Sequence, residues 1–340
     1  MTPKPNLPGR QYGKLTEAFR LIEGGLAATE ALMLSALQTT DPFLNEIIRH
    51  GILLGGKRLR PALVLLSGKV FHETLTPNHF RTAAAVEMIH TGTLIHDDIL
   101  DGAVVRRNLP TLNTRWDAEV SVLAGDVLFM QAMKLISESE CLFGYRELSN
   151  ATNQTCEGEL RQIGTRGRFD LTEAEYRCII AGKTAALMTV SCVLGAYYSS
   201  EDAFQKPSTE TLKTLESFRR FGQHLGVAFQ MADDIMDWMD EEAATGKTMG
   251  TDFEKRKPTL PLILFLRNVN DKERKEVHEL LNQNGQKNAF EMLRSRLIDS
   301  GAIENSRQTL LRELADARNA LSPFNGDAVN SLLAITEQIG

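Results

Sequence analysis

Two acidic pentapeptides of one pattern are the residues of this chain best suited to chemistry. Asp97-Asp98-Ile99-Leu100-Asp101 and Asp233-Asp234-Ile235-Met236-Asp237 both read Asp-Asp-x-x-Asp. On a helix, residues three and four apart share a face, so the first and last Asp of each motif project side by side. Carboxylates this close repel one another unless cations neutralise them. Mg²⁺ prefers such oxygen ligands and bridges carboxylates to substrate phosphates, so the motifs predict metal-assisted chemistry on a diphosphate or a nucleotide.

The simpler alternative is that both motifs are solvated acidic helix faces. Apolar residues flank each motif, with Thr93-Leu94-Ile95 before the first and Val227-Ala228-Phe229 before the second. Neither stretch has the pattern of an open polar surface. The flanking residues therefore favour a metal site over a solvated face.

Basic residues along the chain could bind the phosphates of such a substrate. They are Lys57, Arg58 and Arg60 after a Gly-Gly pair, Arg106 and Arg107 after the first acidic motif, Lys183 before Thr184, Lys247 in Gly-Lys-Thr, and Lys257 in Lys-Pro-Thr-Leu-Pro. A glycine pair lets the backbone turn tightly and approach an anion. Guanidinium and ammonium groups beside Mg²⁺ would bind phosphate oxygens and stabilise a departing diphosphate. Each cation alone is weak evidence, because Lys and Arg are common on protein surfaces.

In order and spacing, these motifs resemble those of the trans-isoprenyl diphosphate synthases, or polyprenyl synthetase family, and most of all its medium- and long-chain, octaprenyl-type members. The matching segments are GGKRLRP (55–61), IHTGTLIHDDILD (89–101), RR (106–107), GDVL (125–128), KT (183–184), FQMADDIMD (229–237), GKTMGTD (246–252) and KPTLP (257–261). The resemblance implies a prenyltransferase that condenses two substrates head to tail. An allylic diphosphate ionises, isopentenyl diphosphate attacks the carbocation, and a proton is lost to leave a longer allylic product.

The same resemblance implies a cofactor and a role for each site residue. Mg²⁺ is expected, about three ions, with Mn²⁺ as a substitute. The implied metal ligands are Asp97, Asp101 and Asp233, with Asp98, Asp234 and Asp237 supporting them. The allylic diphosphate would be bound by Arg106, Lys183 and Lys247, and the isopentenyl diphosphate pocket is matched by Lys57, Arg60, His90 and Arg107. The reacting centre would be shaped by Thr184 and Gln230, and Lys257 would contact substrate. The departing diphosphate is the expected base, so no side-chain base is named.

Product length is predicted from the helix that bears the first motif, because in this family the growing chain runs beside it. One helical turn is about 5.4 Å, close to one isoprene unit. Gly92 and Thr93, one turn before the motif, are not aromatic, and Ile89 a turn deeper is only moderately bulky. We therefore expect a product of about C30 to C40 or more. Phe129 and Met133 are candidates for a lower floor of the tunnel, the alternative being that both are ordinary core residues.

The remaining sequence predicts an all-α protein. Apolar residues recur at three- and four-residue spacing across 14–38, 57–71, 78–100, 117–138, 145–163, 173–198, 211–240 and 258–267, and residues 270–338 predict three or four short amphipathic helices. We expect a flexible tail over residues 1–13 and a single all-helical domain over 14–340. The resemblance implies the isoprenoid synthase fold, a bundle of about 12–15 helices around a central catalytic cavity, usually as a homodimer.

Composition narrows the partners and the location. The net charge of −6 argues against nucleic acid, whose backbone needs a basic face. Four cysteines lie singly in helix-like runs, which favours reduced thiols in a cytoplasm. No apolar run approaches the ~20 residues of a membrane span, so no anchor is expected. Release of a long apolar product could still involve transient membrane contact.

Three alternatives stay open. A short-chain farnesyl or geranylgeranyl diphosphate synthase would have the same motifs and a shorter tunnel. A class I terpene cyclase would ionise one allylic diphosphate and would not need Lys57, Arg60 and Arg107. A non-catalytic regulatory subunit of a heteromeric synthase should have lost Asp97, Asp101 or the arginine pair, and all are present.

Overall fold

The chain is almost wholly helical over the residues that a computed structural model describes, 19–53, 56–203, 205–239, 250–282 and 286–339. The helices are α1 (Glu23–Ala36), α2 (Pro42–Leu53), α3 (Leu59–Lys69), α4 (Pro77–Leu100), α5 (Leu112–Arg115), α6 (Ala118–Ser137), α7 (Leu142–Gly164), α8 (Glu173–Ile180), α9 (Ala186–Tyr197), α10 (Thr209–Met239), α11 (Thr251–Glu254), α12 (Leu260–Asn268), α13 (Asp271–Asn282), α14 (Lys287–Asp299), α15 (Ala302–Ala320) and α16 (Asp327–Glu337). A π-helical segment, Ala181–Ala185, joins α8 to α9. The all-α prediction is confirmed.

Most predicted helical ranges correspond to observed helices, including four in the C-terminal part, α13 to α16. The turn signals Ser300-Gly301 and Ser322-Pro323 fall between these helices, while Asn284-Gly285 lies outside the described residues. Helix α2 was not predicted, although its start carries a usual signal. The Asp41 carboxylate accepts hydrogen bonds from the backbone N–H groups of Phe43 (2.8 Å) and Leu44 (3.4 Å), and Pro42 occupies the first helical position.

A short hairpin follows α4 and was also not predicted. Strands β1 (Val105–Arg106) and β2 (Leu109–Pro110) pair antiparallel. The two residues between them, Arg107 and Asn108, have φ angles of 52° and 64°. A two-residue turn with positive φ at both positions favours Asn-Gly or Asp-Gly, so Arg-Asn is a weak signal in a sequence.

The chain divides into two compact units, each built from several segments. One unit comprises Met1–Thr152, Leu187–Gly222 and Ala320–Gln338, and the other comprises Asn153–Ala186, Gln223–Asn319 and Ile339–Gly340. The first acidic motif belongs to the first unit and the second motif to the second. The expectation of one domain over 14–340 stays a prediction, and the tail predicted over 1–13 lies outside the described residues.

In the first unit, a buried histidine determines where α4 begins. His79 Nδ1 accepts a hydrogen bond from the Thr76 backbone N–H (3.0 Å), and Nε2 donates to the carbonyl of Gly195 (3.1 Å). A Cβ at Gly68 would lie 2.5 Å from His79 Nε2, so only glycine fits beside the ring. These contacts join the first turn of α4 to α3 and α9, and α4 ends in the first acidic motif.

In the second unit, aromatic packing holds the end of α10. Trp238 is fully buried, its ring stacks on Phe290 with centroids 5.3 Å apart, and its Nε1 donates to Thr259 Oγ1 (3.3 Å). Trp238 directly follows the last Asp of the second motif. The C-terminal turn of α10 is therefore anchored to α12 and α14 by an apolar side chain.

Within the part of the chain that the structure describes, two stretches reach the length and apolar composition of a membrane span, although the sequence analysis expected none. They are Ala118–Ser137 and the continuous segment Glu173–Tyr197. The apolar window of Glu173–Tyr197 is 72% buried, as in the core helix of a globular protein, and that of Ala118–Ser137 is 39% buried. Length and composition alone are weak evidence for a span, because core helices meet the same criteria.

Candidate active site

The first acidic motif occupies the last turn of α4, and its middle carboxylate is buried. Asp98 is 2% exposed. Arg106 Nε donates to both of its oxygens (2.9 and 3.0 Å), and Arg106 Nη2 lies 2.8 Å from Oδ1. Asp97 and Asp101 are half-buried. Asp98 thus orients Arg106, and Asp97 and Asp101 are the more exposed carboxylates of the motif.

Four arginines surround His90, about two helical turns before the motif. Burial, together with the charges of Arg60, Arg106, Arg107 and Arg58, holds the pKa of His90 well below its ordinary value. The ring is therefore neutral at pH 7, and its one N–H group can donate a hydrogen bond to an anion. The predicted pocket residues Arg60, His90 and Arg107 come together here.

Gly56 lets an arginine approach the loop before α3. A Cβ at this glycine would lie 2.4 Å from Arg107 Nη2, so a larger residue would displace the guanidinium. Lys57, the next residue, is exposed. The Arg107 guanidinium therefore lies against the backbone position that directly precedes Lys57.

The sequence analysis missed Glu87, which lies near this pocket. Glu87 is 1% exposed, and Arg58 Nη1 lies 3.0 Å from its Oε1. Glu87 precedes the matching segment that starts at Ile89, but a single Glu within an apolar run gives no signal of its partner. Burial lowers the pKa of Arg60 to about 10, an effect that the charge of Glu87 opposes.

The second motif lies at the end of α10, and its middle carboxylate is also buried. Asp234 is 5% exposed and accepts hydrogen bonds from Tyr176 Oη (2.6 Å) and Gln230 Nε2 (2.9 Å). Thr184 Oγ1 donates to Gln230 Oε1 (2.6 Å). The predicted residues Thr184, Gln230 and Asp234 thus form one chain of hydrogen bonds, to which Tyr176 adds a donor that the sequence did not indicate.

Asp237 is held by the backbone that follows the second motif. Its carboxylate accepts hydrogen bonds from Thr251 Oγ1 (2.9 Å) and from the backbone N–H groups of Thr251 (3.2 Å) and Asp252 (3.0 Å). Asp252 was also missed, although it ends the matching segment 246–252. Lys257 Nζ lies 3.6 Å from Asp252 Oδ1. Asp252 therefore adds a carboxylate to the second motif and connects it to Lys257.

Negative charge accumulates around the second motif. Burial, together with the charge of Asp252, raises the pKa of Asp234 well above its ordinary value, despite hydrogen bonds from Tyr176 and Gln230. Burial also raises the pKa of Asp252, with Asp237 and Asp233 acting in the same direction and Lys257 against it. Carboxylates that resist ionisation together favour a bound cation.

Lys183 is presented by the π-helical segment. Its Nζ lies 2.7 Å from Gln162 Oε1 and 2.5 Å from Glu159 Oε2. A Cβ at Gly158 would lie 2.2 Å from the Lys183 backbone nitrogen, so this glycine lets α7 approach the segment closely. Single π turns occur frequently at functional sites, because they displace side chains from the regular helical positions. Lys247 lies outside the described residues.

The donor set fits a divalent cation that also binds water and substrate oxygens. Within the described ranges, no three acidic, histidine or cysteine side chains lie close enough to hold a metal ion by themselves. Mg²⁺ rarely uses an all-protein cage and takes one or two carboxylates with waters and phosphates. Asp97 with Asp101, and Asp233 near Asp252, supply carboxylates of this kind.

The predicted chain-length residues lie where α4 packs on α6. A Cβ at Gly92 would lie 3.2 Å from the Gly125 carbonyl and 3.4 Å from the Phe129 ring. The ring of Phe129 thus occupies the space beside Gly92. The residue predicted to limit the tunnel therefore lies next to a residue predicted to let the product pass. Ile89 is fully buried, while Thr93 and Met133 are half-buried. Their role in product length stays a prediction.

The comparisons with known proteins point in one direction. The model of the family described as polyprenyl synthetase matches residues 41–294. The chain is 32% identical over 292 residues to an all-trans-nonaprenyl-diphosphate synthase (geranyl-diphosphate specific) of Rhodobacter capsulatus, covering 83% of this chain and 86% of that one. It is 31% identical to a short chain isoprenyl diphosphate synthase of Methanothermobacter thermautotrophicus, covering 87% and 92%. The structure of a decaprenyl diphosphate synthase from Rhodobacter capsulatus superposes with a TM-score of 0.87 at 30% identity, covering 96% and 98%.

Proposed function

Because the chain belongs to the polyprenyl synthetase family and is a prenyltransferase, we propose that it condenses isopentenyl diphosphate with an allylic diphosphate into a medium- or long-chain product. The observation that carries this proposal is the presence of two different sets of diphosphate-binding side chains. Arg60, His90 and Arg107 form one set, in which guanidinium groups lie beside a neutral imidazole. Asp233, Asp237 and Asp252 form a second, acidic set that suits a metal-bound diphosphate. Lys183 is a cation that acts on this set.

Two sets match a reaction with two diphosphate substrates. A terpene cyclase ionises a single diphosphate and has no use for the cationic set. A non-catalytic subunit has no use for either set. The arginines around His90 therefore favour a synthase over both alternatives.

We assign the metal to the carboxylates Asp97, Asp101 and Asp233. When bound, Mg²⁺ would neutralise negative charge on the allylic diphosphate as its C–O bond breaks. Asp98 and Asp234 would act through their partners, since both are buried and hydrogen-bonded. They would keep Arg106 and Gln230 in position.

Side chains of the protein would do the remaining work. Arg106 and Lys183 would bind the oxygens of the allylic diphosphate through charge-assisted hydrogen bonds. The chain from Thr184 through Gln230 to Asp234 would hold the Gln230 amide in one orientation. Its carbonyl oxygen presents negative partial charge, which would stabilise a nearby carbocation.

We propose a product of C30 or longer, with the Phe129 ring as one wall of the tunnel. The ring lies beside Gly92 on the helix of the first motif. Phe129→Ala should lengthen the product, and Ile89→Phe should shorten it. An unchanged product distribution in both variants would remove these residues from the tunnel. Since relatives include both long- and short-chain synthases, the product must be measured.

We further propose that the protein is a homodimer that uses the exposed apolar face of α6. Leu123 and Met130 are 64% and 66% exposed on this helix. An apolar cleft of about 310 Å³ adjoins it, with Phe43 and Leu44 of α2 in its lining. Leu123→Glu should yield monomers by sedimentation velocity, whereas Leu212→Glu, on an exposed leucine of α10, should leave the dimer intact. Monomeric wild-type protein would contradict this proposal.

We propose a cytoplasmic location. Cys156 and Cys178 are exposed and unpaired, which suits a reducing compartment. Cell fractionation with an antibody against the chain tests this directly. Recovery in a secreted or periplasmic fraction would refute it.

The decisive experiment is a condensation assay with Mg²⁺ and labelled isopentenyl diphosphate. Dimethylallyl, geranyl, farnesyl and geranylgeranyl diphosphates serve in turn as primers, and the dephosphorylated products are sized. Products of C30 or longer would support both the reaction and the tunnel. A stop at C15 or C20 would retain the reaction and reject the tunnel. No product with any primer, in protein that is folded, would favour the cyclase or the regulatory subunit.

A further inference from the structure

The cationic pocket of the first unit contains tandem basic residues, and in each tandem one member is paired with a buried carboxylate of α4. In Arg106-Arg107, the first arginine pairs with Asp98. In Lys57-Arg58, the arginine pairs with Glu87 at 3.0 Å. The other member of each tandem, Lys57 or Arg107, is exposed. The two carboxylates are 1% and 2% exposed, so both ion pairs are largely shielded from water.

Arg58 has a backbone conformation that needs support. Its φ and ψ angles are 54° and 34°, in the left-handed region that non-glycine residues rarely adopt, and it is the N-cap of α3. Its guanidinium bonds two carboxylates, with Nε 3.1 Å from Glu30 and Nη1 3.0 Å from Glu87. The buried bond to Glu87 stabilises the turn that places Lys57 before α3 and Arg60 inside its first turn, whereas the bond to the exposed Glu30 contributes little.

Arg60 is the residue most affected by that turn. It is 8% exposed, and within the described part of the chain its Nε has no hydrogen-bond partner. Nitrogen–hydrogen groups in this state cost free energy unless an anion binds them. The charge of Glu87 acts on Arg60 and opposes the effect of burial. One buried carboxylate therefore both pairs with Arg58 and favours the charged form of Arg60.

We propose that Glu87 is a positioning residue for isopentenyl diphosphate: by pairing with Arg58 it fixes the turn that presents Lys57 and Arg60 to the diphosphate. Arg58 itself does not bind the substrate, because its donors are directed to Glu87 and Glu30. This inference rests on the proposed function only for the identity of the ligand. The geometry that carries it is the ion pair, the left-handed turn and the buried Arg60.

Glu87→Gln tests the proposal, because it keeps the shape and removes the charge. We expect the Kd of isopentenyl diphosphate, measured by calorimetry without a primer, to rise at least tenfold. The KM for isopentenyl diphosphate should rise similarly, with the KM for the allylic diphosphate changed less than twofold. Glu30→Gln is the matched control, since it removes the exposed carboxylate from the same guanidinium. It should change either constant less than twofold.

A double-mutant cycle tests whether Glu87 acts through Arg58. If it does, Glu87→Gln with Arg58→Gln should weaken binding no more than the stronger single change. Arg58→Gln alone also tests the proposal if Glu87→Gln fails to fold. Unchanged Kd in a folded Glu87→Gln, equal rises of both KM values, or additive effects in the cycle would each overturn the proposal.

Binding separates this inference from the proposed function. A wild-type protein that binds isopentenyl diphosphate in a Glu87-dependent way but makes no product would support the positioning role and reject the synthase. A wild-type protein that makes product with no dependence on Glu87 would do the reverse. Failure of the wild type to bind isopentenyl diphosphate would reject both.

Discussion

The two Asp-Asp-x-x-Asp motifs end long helices, yet their middle carboxylates are stabilised by different kinds of partner. Asp98 on α4 accepts hydrogen bonds from the guanidinium of Arg106. Asp234 on α10 accepts hydrogen bonds from a phenol and an amide, which carry no charge. Near Asp234, Asp252 adds a further carboxylate. The first motif is thus neutralised by a cation of the chain, and the second is surrounded by negative charge.

This difference follows from the neighbours, since the motif pattern is the same. The first motif is followed by a hairpin that brings arginines back to α4, whereas Asp237 of the second motif accepts hydrogen bonds from Thr251 and Asp252. A diphosphate and its metals carry charges of opposite sign. We infer that the first motif serves an anion pocket as well as a metal, and that the second depends more strongly on a bound cation for its own stability.

The largest expected effect is on catalysis. Asp97→Ala and Asp233→Ala should each lower kcat by ~10³-fold, because each removes a carboxylate assigned to the metal. Steady-state kinetics over a range of Mg²⁺ concentrations measures this. Since the middle carboxylate of the second motif is hydrogen-bonded to uncharged groups, Asp233→Ala should also raise the Mg²⁺ concentration for half-maximal rate more than Asp97→Ala. The reverse order would contradict the comparison.

Asp316→Ala is a suitable control for both variants. Asp316 is an exposed aspartate on α15 that contributes to neither motif. Its substitution should leave kcat and the Mg²⁺ dependence unchanged. Circular dichroism should show the same helical content in all three variants. Wild-type turnover in Asp97→Ala or Asp233→Ala would refute the metal assignment.

A smaller effect is expected on stability without Mg²⁺, and here substitution in the first motif should have the larger effect. Asp98→Asn should lower the free energy of unfolding by about 2–3 kcal/mol, because it leaves the partly buried Arg106 unpaired. Asp234→Asn should change it by less than about 1 kcal/mol, because the lost hydrogen bond is offset by relief of repulsion from Asp252. Urea unfolding at pH 7.5 in EDTA measures both. Equal losses would show that the two motifs have similar electrostatics.

Sequence alone predicted the helices that carry both motifs, because their apolar periodicity is strong and their acidic ends are distinctive. It also predicted which basic residues share a pocket, but only through the family resemblance. The partners of buried charges were not predictable. Glu87 pairs with Arg58, which is distant in sequence and has an unusual backbone conformation with φ 54°. Asp252 contacts Asp237, which is also distant in sequence. Helix periodicity carries no information about such pairs.

The π-helical segment shows a further limit of sequence patterns. Residues 173–198 were predicted as one helix, and the structure places a π segment at Ala181–Ala185 within it. Close approach of Gly158 to Lys183 accompanies this change. The cause is tertiary packing, which the local sequence of Ala-Gly-Lys-Thr-Ala does not reveal.

The two motifs also differ in how their helices are held, and this difference should appear as a difference in acid sensitivity. Burial lowers the pKa of His79, at the start of α4, to about 4. The unfolded imidazole has a pKa near 6.5, so the unfolded state binds more protons between about pH 6.5 and 4. Stability from this group is complete above pH 6.5 and is lost as the pH falls toward 4. Trp238, which anchors α10, does not titrate.

Urea unfolding at pH 7.5 and pH 5.0 tests this contrast in wild type, His79→Gln and His72→Gln. Wild type and His72→Gln, an exposed histidine nearby, should lose about 1–2 kcal/mol more than His79→Gln on acidification. His79→Gln should be less stable at pH 7.5, because the capping contacts with Thr76 and Gly195 are weakened. The change in stability with pH carries the test, since a purely structural loss would lower stability equally at both pH values. An equal pH dependence in all three proteins would mean that α4 is not held by a neutral imidazole, and that the two motif helices do not differ in this respect.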